Sequence, residues 1–264
     1  MIIILLPAFN EEKSLPQLLS KLEVTLAAIE EDYRILVCND GSTDKTQEIL
    51  EKSSKTISLE IIKHQVNRGL GETIRDLFER AAAISSDNDI IIRFDCDDTH
   101  EPKYISLIIN KIRSGYDVVT ASRFEKGGGQ YGVNYYRSFL SRCANLFMSI
   151  FFSIKGIKDY SCGYRGYNSK IIKKAISFYA NDFIQLKGLG FTCTLEKLVK
   201  LKIIGARFGE IPFELRYDQK VSDSKMVSSI TTLGYIVMTL LYHWPFNGWK
   251  NLYKKKLKKF DARY

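Results

Sequence analysis

Apolar residues fall along the first half of the chain in two alternating rhythms. Short, nearly unbroken apolar runs at 2–6, 34–38, 59–62, 90–94 and 117–121 have the length of buried strands. Between the first two, Leu15, Leu18, Leu19, Leu22 and Leu26 recur at helical spacing within 14–29, and 72–83 and 102–113 read as further helices. The links carry turn chemistry: Pro7 closes the first run, Asn39-Asp40-Gly41-Ser42-Thr43-Asp44 follows the second, and Asn67-Arg68-Gly69-Leu70-Gly71 precedes the helix at 72. Strands alternating with helices over short links predict βαβ units and an α/β fold with a mostly parallel sheet.

Past Arg123 the texture changes. Residues 125–134 form a glycine-rich loop, 136–154 an aromatic and apolar helix, 169–179 and 191–202 two more helices, and 207–215 a late strand. There is no internal repeat and no long linker, so the pattern predicts one catalytic domain over 1–225 and an appendage over 226–264. From 226 to 249 there is no charged residue apart from His243, and the run Lys254-Lys255-Lys256-Leu257-Lys258-Lys259 follows. An amphipathic helix with Trp244 and Trp249 at the headgroup level and a basic tail on anionic lipid is one reading. A core helix closing the catalytic domain is the other.

The run 90–94 is the centre of the pattern, because it leads straight into Asp95-Cys96-Asp97. Ligands of open α/β sheets bind at the carboxyl ends of the strands. Two carboxylates one residue apart can hold a hard divalent cation, Mg²⁺ or Mn²⁺, which completes its shell with phosphate oxygens and water. The alternative is a solvated acidic turn.

Composition narrows the classes. At 264 residues and 45% hydrophobic the chain can build a sizeable core. Its formal charge of +9 suits an anionic partner, but no nucleic-acid-binding signature accompanies it. Five cysteines scattered singly argue against a disulfide framework or a zinc site and for a reducing, cytoplasmic setting. The amino-terminal run is too short for a signal peptide.

Pro7-Ala8-Phe9-Asn10-Glu11, Asn39 to Asp44, Asn67 to Gly71, Asp95-Cys96-Asp97, Ala121-Ser122-Arg123-Phe124 and Asp159 to Arg165 stand in one order. That ordered set resembles the family 2 glycosyltransferases of the GT-A fold, a Rossmann-like sheet flanked by helices. Within them it is most like the dolichol-phosphate mannose synthases and the bacterial polyprenyl-phosphate sugar transferases. The resemblance implies a nucleotide-sugar donor, GDP-mannose ahead of UDP-glucose. It implies that Pro7, Phe9, Glu11, Asp40, Asp95 and Cys96 line the nucleotide, and that Asp97, with Asp95, holds the metal. Phe9 replaces a usual Tyr, Asn39 a frequent Asp, and Thr99 stands where some relatives carry a further metal ligand. The resemblance also implies that Arg123, Arg137 and Ser141 grip the phosphate of a polyprenyl phosphate acceptor, and that Lys225 clamps the donor diphosphate. The family's second clamp residue, an Arg, falls on Gln219 here, and either Arg216 or Lys220 could reach the same phosphates. Arg165 is expected to pair with a carboxylate beside the site.

Catalysis would then be an inverting hexosyl transfer with Asp97, Arg123 and Lys225 at its centre, by a protein peripheral on the cytoplasmic face of a membrane. A phosphate acceptor needs no general base, since its second pKa is about 6. A glycan hydroxyl acceptor would need one, and Glu196 is the candidate. The third reading is a non-catalytic nucleotide-binding protein. His64, His100 and His243 are assigned no role.

Overall fold

A computed structural model describes residues 1–220 and 228–261. The first half runs β1 (Ile2–Ala8), α1 (Leu15–Ala27), β2 (Tyr33–Asn39), α2 (Thr46–Ser53), β3 (Leu59–Lys63), α3 (Leu70–Ile84), β4 (Ile90–Arg93), α4 (Ile105–Arg113) and β5 (Val118–Ser122). The second half runs β6 (Gly129–Tyr131), α5 (Tyr135–Phe152), β7 (Arg165–Asn168), α6 (Ser169–Tyr179), α7 (Thr192–Ile203), β8 (Phe208–Pro212), β9 (Glu214–Arg216), α8 (Ser228–His243) and α9 (Gly248–Asp261).

Seven strands form the main sheet in the order β3-β2-β1-β4-β7-β5-β8, with all but β7 running in one direction. The isoleucine runs lie side by side, Ile2 facing Ile90 and Ile4 facing Ile92. Their period of two divides the core. Ile3, Leu5 and Ile91 point into one layer with α3, α6 and α7, while Ile2, Ile4, Leu6, Ile90 and Ile92 point into the other with α1 and α4. Both faces are covered, which is why these strands read as continuous apolar runs.

Three expectations change. Strand β1 does not stop at Pro7 but runs to Ala8, with Pro7 opposite Cys38. Odd-numbered residues of β1 face β4, as the bond from the Phe94 N–H to the Leu5 carbonyl shows, and the β4 ladder ends at Leu5. The N–H that Pro7 lacks therefore has no partner to lose. The late strand is two strands: β8 ends at Pro212, and β9 pairs with β6, which lies inside the glycine-rich loop. Strand β7 was not visible in the apolar pattern, because Arg165-Gly166-Tyr167-Asn168 has no apolar run. It is buried because Gly166 admits α4: a Cβ there would lie 2.1 Å from Cγ2 of Ile108.

Helices α8 and α9 pack on the layer of α3, α6 and α7. Tyr235, Met238 and Tyr242 of α8 and Tyr253 of α9 are buried with Cys193, Leu195 and Leu198 of α7. Gly234 brings α8 against α7, since a Cβ there would meet Oγ1 of Thr192 at 1.9 Å. The opposite side of α8 leaves Ile230, Leu233, Ile236 and Leu240 exposed. No helix among the described residues is long and apolar enough to cross a membrane.

Candidate active site

Strands β1, β2, β4 and β5 deliver Phe9, Asp40, Asp95 and Arg123 to one edge of the sheet, the carboxyl edge of its parallel strands. Two strand steps, about 10 Å, separate β4 from β5, with β7 between them.

On the β1–β2 side, Glu11 is buried, accepting from the Ser14 hydroxyl at 2.6 Å while its backbone N–H donates to Oγ1 of Thr46 at 2.8 Å. Pro7 and Phe9 are half-buried. Asp40 is 3% exposed, and both its oxygens are engaged. Oδ1 accepts from the Arg68 N–H at 2.9 Å and faces Nδ1 of His64 at 2.6 Å, and Oδ2 accepts from the Gly69 N–H at 2.9 Å. Asp40 thus fixes the glycine turn before α3. Sequence reasoning gave His64 no role, yet its ring bridges Asp40 to Asp76, 2.9 Å from Nε2. Its place just after β3, level with Asp40, is the signal that could have found it.

At the end of β4 every acid is held by a cation. The guanidinium of Arg93, 1% exposed, donates to Asp95. Lys21 of α1 donates to both oxygens of Asp98, at 2.9 and 3.0 Å, and to Glu101 at 3.0 Å. Lys220 donates to Oδ2 of Asp97. Oδ1 of Asp97 accepts from the Thr99 hydroxyl at 2.6 Å. Burial opposes the charge on Asp97, but Lys220 together with the neighbouring groups, the Thr99 hydroxyl among them, outweighs it and holds the carboxyl below the ordinary carboxylate range. Cys96 is buried between the two acids. His100 is also buried, its Nδ1 accepting the Asp95 N–H at 3.1 Å. That bond requires the neutral ring, and burial pushes its pKa down in agreement.

The described residues hold no cluster of three metal-ligating side chains. The donor set fits a cation of the Mg²⁺ type, which takes one or two carboxylates and completes its shell from phosphates and water. Asp97 would be the chief ligand, its Oδ2 here held by the Lys220 ammonium. Lys225 lies outside the described residues.

Arg123, following β5, is locked onto Asp159. Nε and Nη2 donate to the two carboxylate oxygens at 2.7 and 2.8 Å, and Nη2 also reaches the Ser161 hydroxyl at 2.7 Å. Burial disfavours both charges, but each holds the other: the Arg123 pKa is raised and the Asp159 pKa lowered. Arg123 also lines a cavity of about 410 Å³ together with Gly128, Gly129, Gln130, Ser138 and Arg142. A second cavity of about 320 Å³, walled by Leu146, Ile157 and Lys158, adjoins it, and Phe124 and Arg142 line both. Arg137 and Ser141 line neither. Arg137 turns instead to the Tyr217 hydroxyl at 2.6 Å, and the Ser141 carbonyl accepts from Asn145 at 2.7 Å. Tyr217 joins the two sides of the edge, since the Lys220 ammonium lies 5.7 Å from its ring centroid.

Two further expectations are corrected by the geometry. Arg165 pairs with no carboxylate among the described residues; it donates to Thr120 Oγ1 and to the carbonyls of Thr194 and Tyr160. Glu196 is fully buried, accepting the N–H groups of Gln185 and Leu186 and the Lys200 ammonium at 2.6 Å. It has no route to a substrate proton.

Residues 3–176 match the family model of glycosyl transferase family 2. A dolichol-phosphate mannosyltransferase of Pyrococcus furiosus is 26% identical over 211 residues, 80% of this chain and 55% of that protein. An undecaprenyl-phosphate 4-deoxy-4-formamido-L-arabinose transferase of Pseudomonas aeruginosa is 27% identical over 196 residues, 73% of this chain and 55% of that one. The chain spans about half the length of these curated relatives. Among solved structures, glucosyl-3-phosphoglycerate synthase of Mycobacterium tuberculosis with Mn²⁺, UDP and glucosyl-3-phosphoglycerate superposes with a TM-score of 0.60 at 16% identity, over 91% of this chain and 78% of that one. The same enzyme with Mg²⁺ and UDP gives 0.59 at 15% identity, over 91% and 78%. The shared fold is GT-A.

Proposed function

The chain belongs to glycosyl transferase family 2, and on that premise we propose that it moves a hexose from a nucleotide-diphosphate sugar to a polyprenyl phosphate at a membrane surface, with inversion. The observation that carries this reading is the pair of adjoining cavities beside Arg123. One is polar and carries Arg123, Arg142 and Ser138; the other is an open, mixed depression where Phe124, Leu146 and Ile157 stand beside Arg142, Asn145, Ser149 and Lys158. A phosphate on an isoprenoid chain has those two needs in that order. Two guanidinium groups give charge-assisted bonds to phosphate oxygens, and the apolar side chains of the second receive the first carbons of the lipid.

The chemistry agrees. A phosphate acceptor is its own nucleophile, and Glu196, the candidate base for a hydroxyl acceptor, is walled in. The names of both curated relatives carry a polyprenyl phosphate, dolichol or undecaprenyl. On the donor side, Asp97 with Asp95 would hold Mg²⁺ or Mn²⁺, which would act as a Lewis acid on the departing diphosphate. Phe9 and Glu11 would frame the base and ribose, with Asp40 keeping the turn behind them in place, and Lys225 would face the diphosphate. GDP-mannose is the first donor to test, following the name of the Pyrococcus relative.

The membrane part of the proposal rests on two exposed apolar stripes. Helix α5 presents Tyr135, Phe139, Leu146 and Ile150, and α8 with its following turn presents Leu233, Ile236, Leu240, Trp244 and Phe246. Lys254, Lys255, Lys258 and Lys259 of α9 are exposed beyond them. We assign 1–225 to catalysis and 226–264 to peripheral attachment on the cytoplasmic face, the second unit also serving the core through Tyr235 and Tyr242.

The test is transfer from GDP-mannose and UDP-glucose, with Mn²⁺, to dolichyl or undecaprenyl phosphate in detergent, beside a glycan acceptor and the Asp97→Ala variant. Lipid-linked product that the variant does not form is expected. Product on the glycan alone would overturn the acceptor, and donor turnover unchanged in the variant would overturn the site. Glutamine at the four lysines should weaken binding to anionic vesicles at low salt, at about 1 kcal/mol for each lysine.

A further inference from the structure

We infer that Lys220 is a cation of the donor diphosphate, held on Asp97 until a divalent cation takes that carboxylate from it. The inference rests on the glycosyltransferase reading and deepens it at the donor site.

Four acids crowd the turn after β4, and the origin of their cations separates them. Arg93, which holds Asp95, is a buried residue of β4 itself. Lys21, which holds Asp98 and Glu101, stands on α1. Lys220 stands on no regular element; it follows a single short turn, Tyr217–Gln219, after β9. That segment lies directly on the acidic turn, because the Arg216 N–H donates to the Thr99 carbonyl at 3.1 Å. Its other polar side chains are committed elsewhere. Arg216 forks onto Asp218 at 3.0 and 2.8 Å, and Gln219 faces Lys21 at 3.5 Å. Among the described residues of this segment, Lys220 alone brings a cation to Asp97.

The position has a thermodynamic consequence. Asp97 and Lys220 are 17% and 10% exposed at their side chains, so the pair is only partly screened by water. A divalent cation arriving alone must separate the pair and leave the ammonium without an anion. A divalent cation arriving with a diphosphate separates the same pair but supplies the ammonium with phosphate oxygens a short swing away. Lysine suits this as a point charge on a flexible four-carbon stem. Metal and nucleotide must then strengthen each other's binding, and by linkage the factor is the same in both directions. Part of that factor belongs to Lys220.

The experiment measures free Mn²⁺ by electron paramagnetic resonance, with and without GDP or UDP, on the full chain and on Lys220→Met, Lys220→Arg and Arg216→Gln. Lys220→Met should bind Mn²⁺ alone about tenfold more tightly, the effect of one close ion pair, and should lose a similar factor of the nucleotide-induced tightening. Lys220→Arg keeps the charge and should keep the coupling; Arg216→Gln should follow the wild type. Unchanged or weaker Mn²⁺ binding by folded Lys220→Met, or the same effect in Arg216→Gln, overturns the inference while leaving the enzyme reading intact. A wild type whose Mn²⁺ binding is indifferent to both nucleotides overturns the two together.

Discussion

Replacing Lys197 by methionine should make the protein more stable, and the gain should shrink as pH rises. Lys197 lies on α7 and is 1% exposed. Its ammonium sits 4.7 Å from the centroid of the Phe78 ring and makes no hydrogen bond to the described residues. Arg93 and Arg165 face each other across β4 and β7, both fully buried. Like charges directly opposite in a ladder are destabilising, and Lys197 adds a third cation to that neighbourhood. Burial, then the charges of Arg93 and Arg165, push its pKa well below the lysine value of 10.5. Among the described residues Nε and Nη1 of Arg93 have no hydrogen-bond partner, and Asp95 offsets the repulsion on Lys197 only in part.

The sign follows from proton counting. Between the depressed folded value and 10.5 the unfolded chain binds a proton at Lys197 that the folded chain does not. Stability therefore rises with pH in that window, by about 1.4 kcal/mol per unit for one proton. Methionine, close in volume and uncharged, removes both the penalty and the slope. Replacing buried charge with an apolar group of similar size gains about 1–4 kcal/mol, so the variant's advantage should be of that order at pH 7 and decline toward pH 10. Urea unfolding of both proteins from pH 7 to 9.5 measures it. Cys38 and Cys162, pushed up to about 12 by burial, make both proteins lose stability above about pH 9, and that loss cancels in the difference. A variant less stable at every pH, with a difference flat in pH, would refute the reasoning and make Lys197 a satisfied, charged member of the core.

Glu196→Gln should cost about 3–5 kcal/mol in urea unfolding, because it leaves Lys200 buried without its anion. Turnover per folded molecule should survive at low temperature; a loss of more than about 10²-fold would restore Glu196 as a base. Arg142→Ala should raise KM for the lipid phosphate by about 10–100-fold, the effect of one hydrogen bond to a charged group, with KM for the nucleotide sugar unchanged in steady-state assays. Asp159→Asn should cost about 3–5 kcal/mol by stranding Arg123. Asp159 is held below its unfolded value of 3.8, so its contribution is present above that value and lost as pH falls through the folded one. Acid unfolding of the asparagine variant should accordingly lack that part of the acid limb.

The half of the chain that alternates isoleucine runs with leucine-spaced helices was legible because both faces of its sheet are dry, and a dry strand has one pattern. Strand β7 escaped for the opposite reason. It is equally buried, but its side chains are Arg165, Tyr167 and Asn168, and a buried polar strand reads as a loop until its partners are known. The acidic end of β4 and Arg123 were legible because chemistry concentrates there in few residues. The cations that hold those acids were less so: Arg93 reads as a blemish in an apolar run, and the letters that offer Lys220 to the donor phosphates do not say that it reaches Asp97, more than 120 positions away.

Helix α5 shows the limit most directly. A sequence spacing of four puts Arg137 with Ser141 and Ser138 with Arg142 on equal terms, because each pair shares a face. One residue is 100° of helix, and nothing in the letters says which face turns inward. Asn145 decides it. Its side chain takes the Tyr160 and Ser161 N–H groups at 2.7 and 3.3 Å and donates to Ser161 Oγ at 3.1 Å. That anchor is three residues from Arg142 and seven from Ser138, the spacing of a single helical stripe. The stripe therefore faces the loop that carries Asp159 and, through it, Arg123. The cavity beside Arg123 is thus set by a buried asparagine that carries no charge and belongs to none of the motifs.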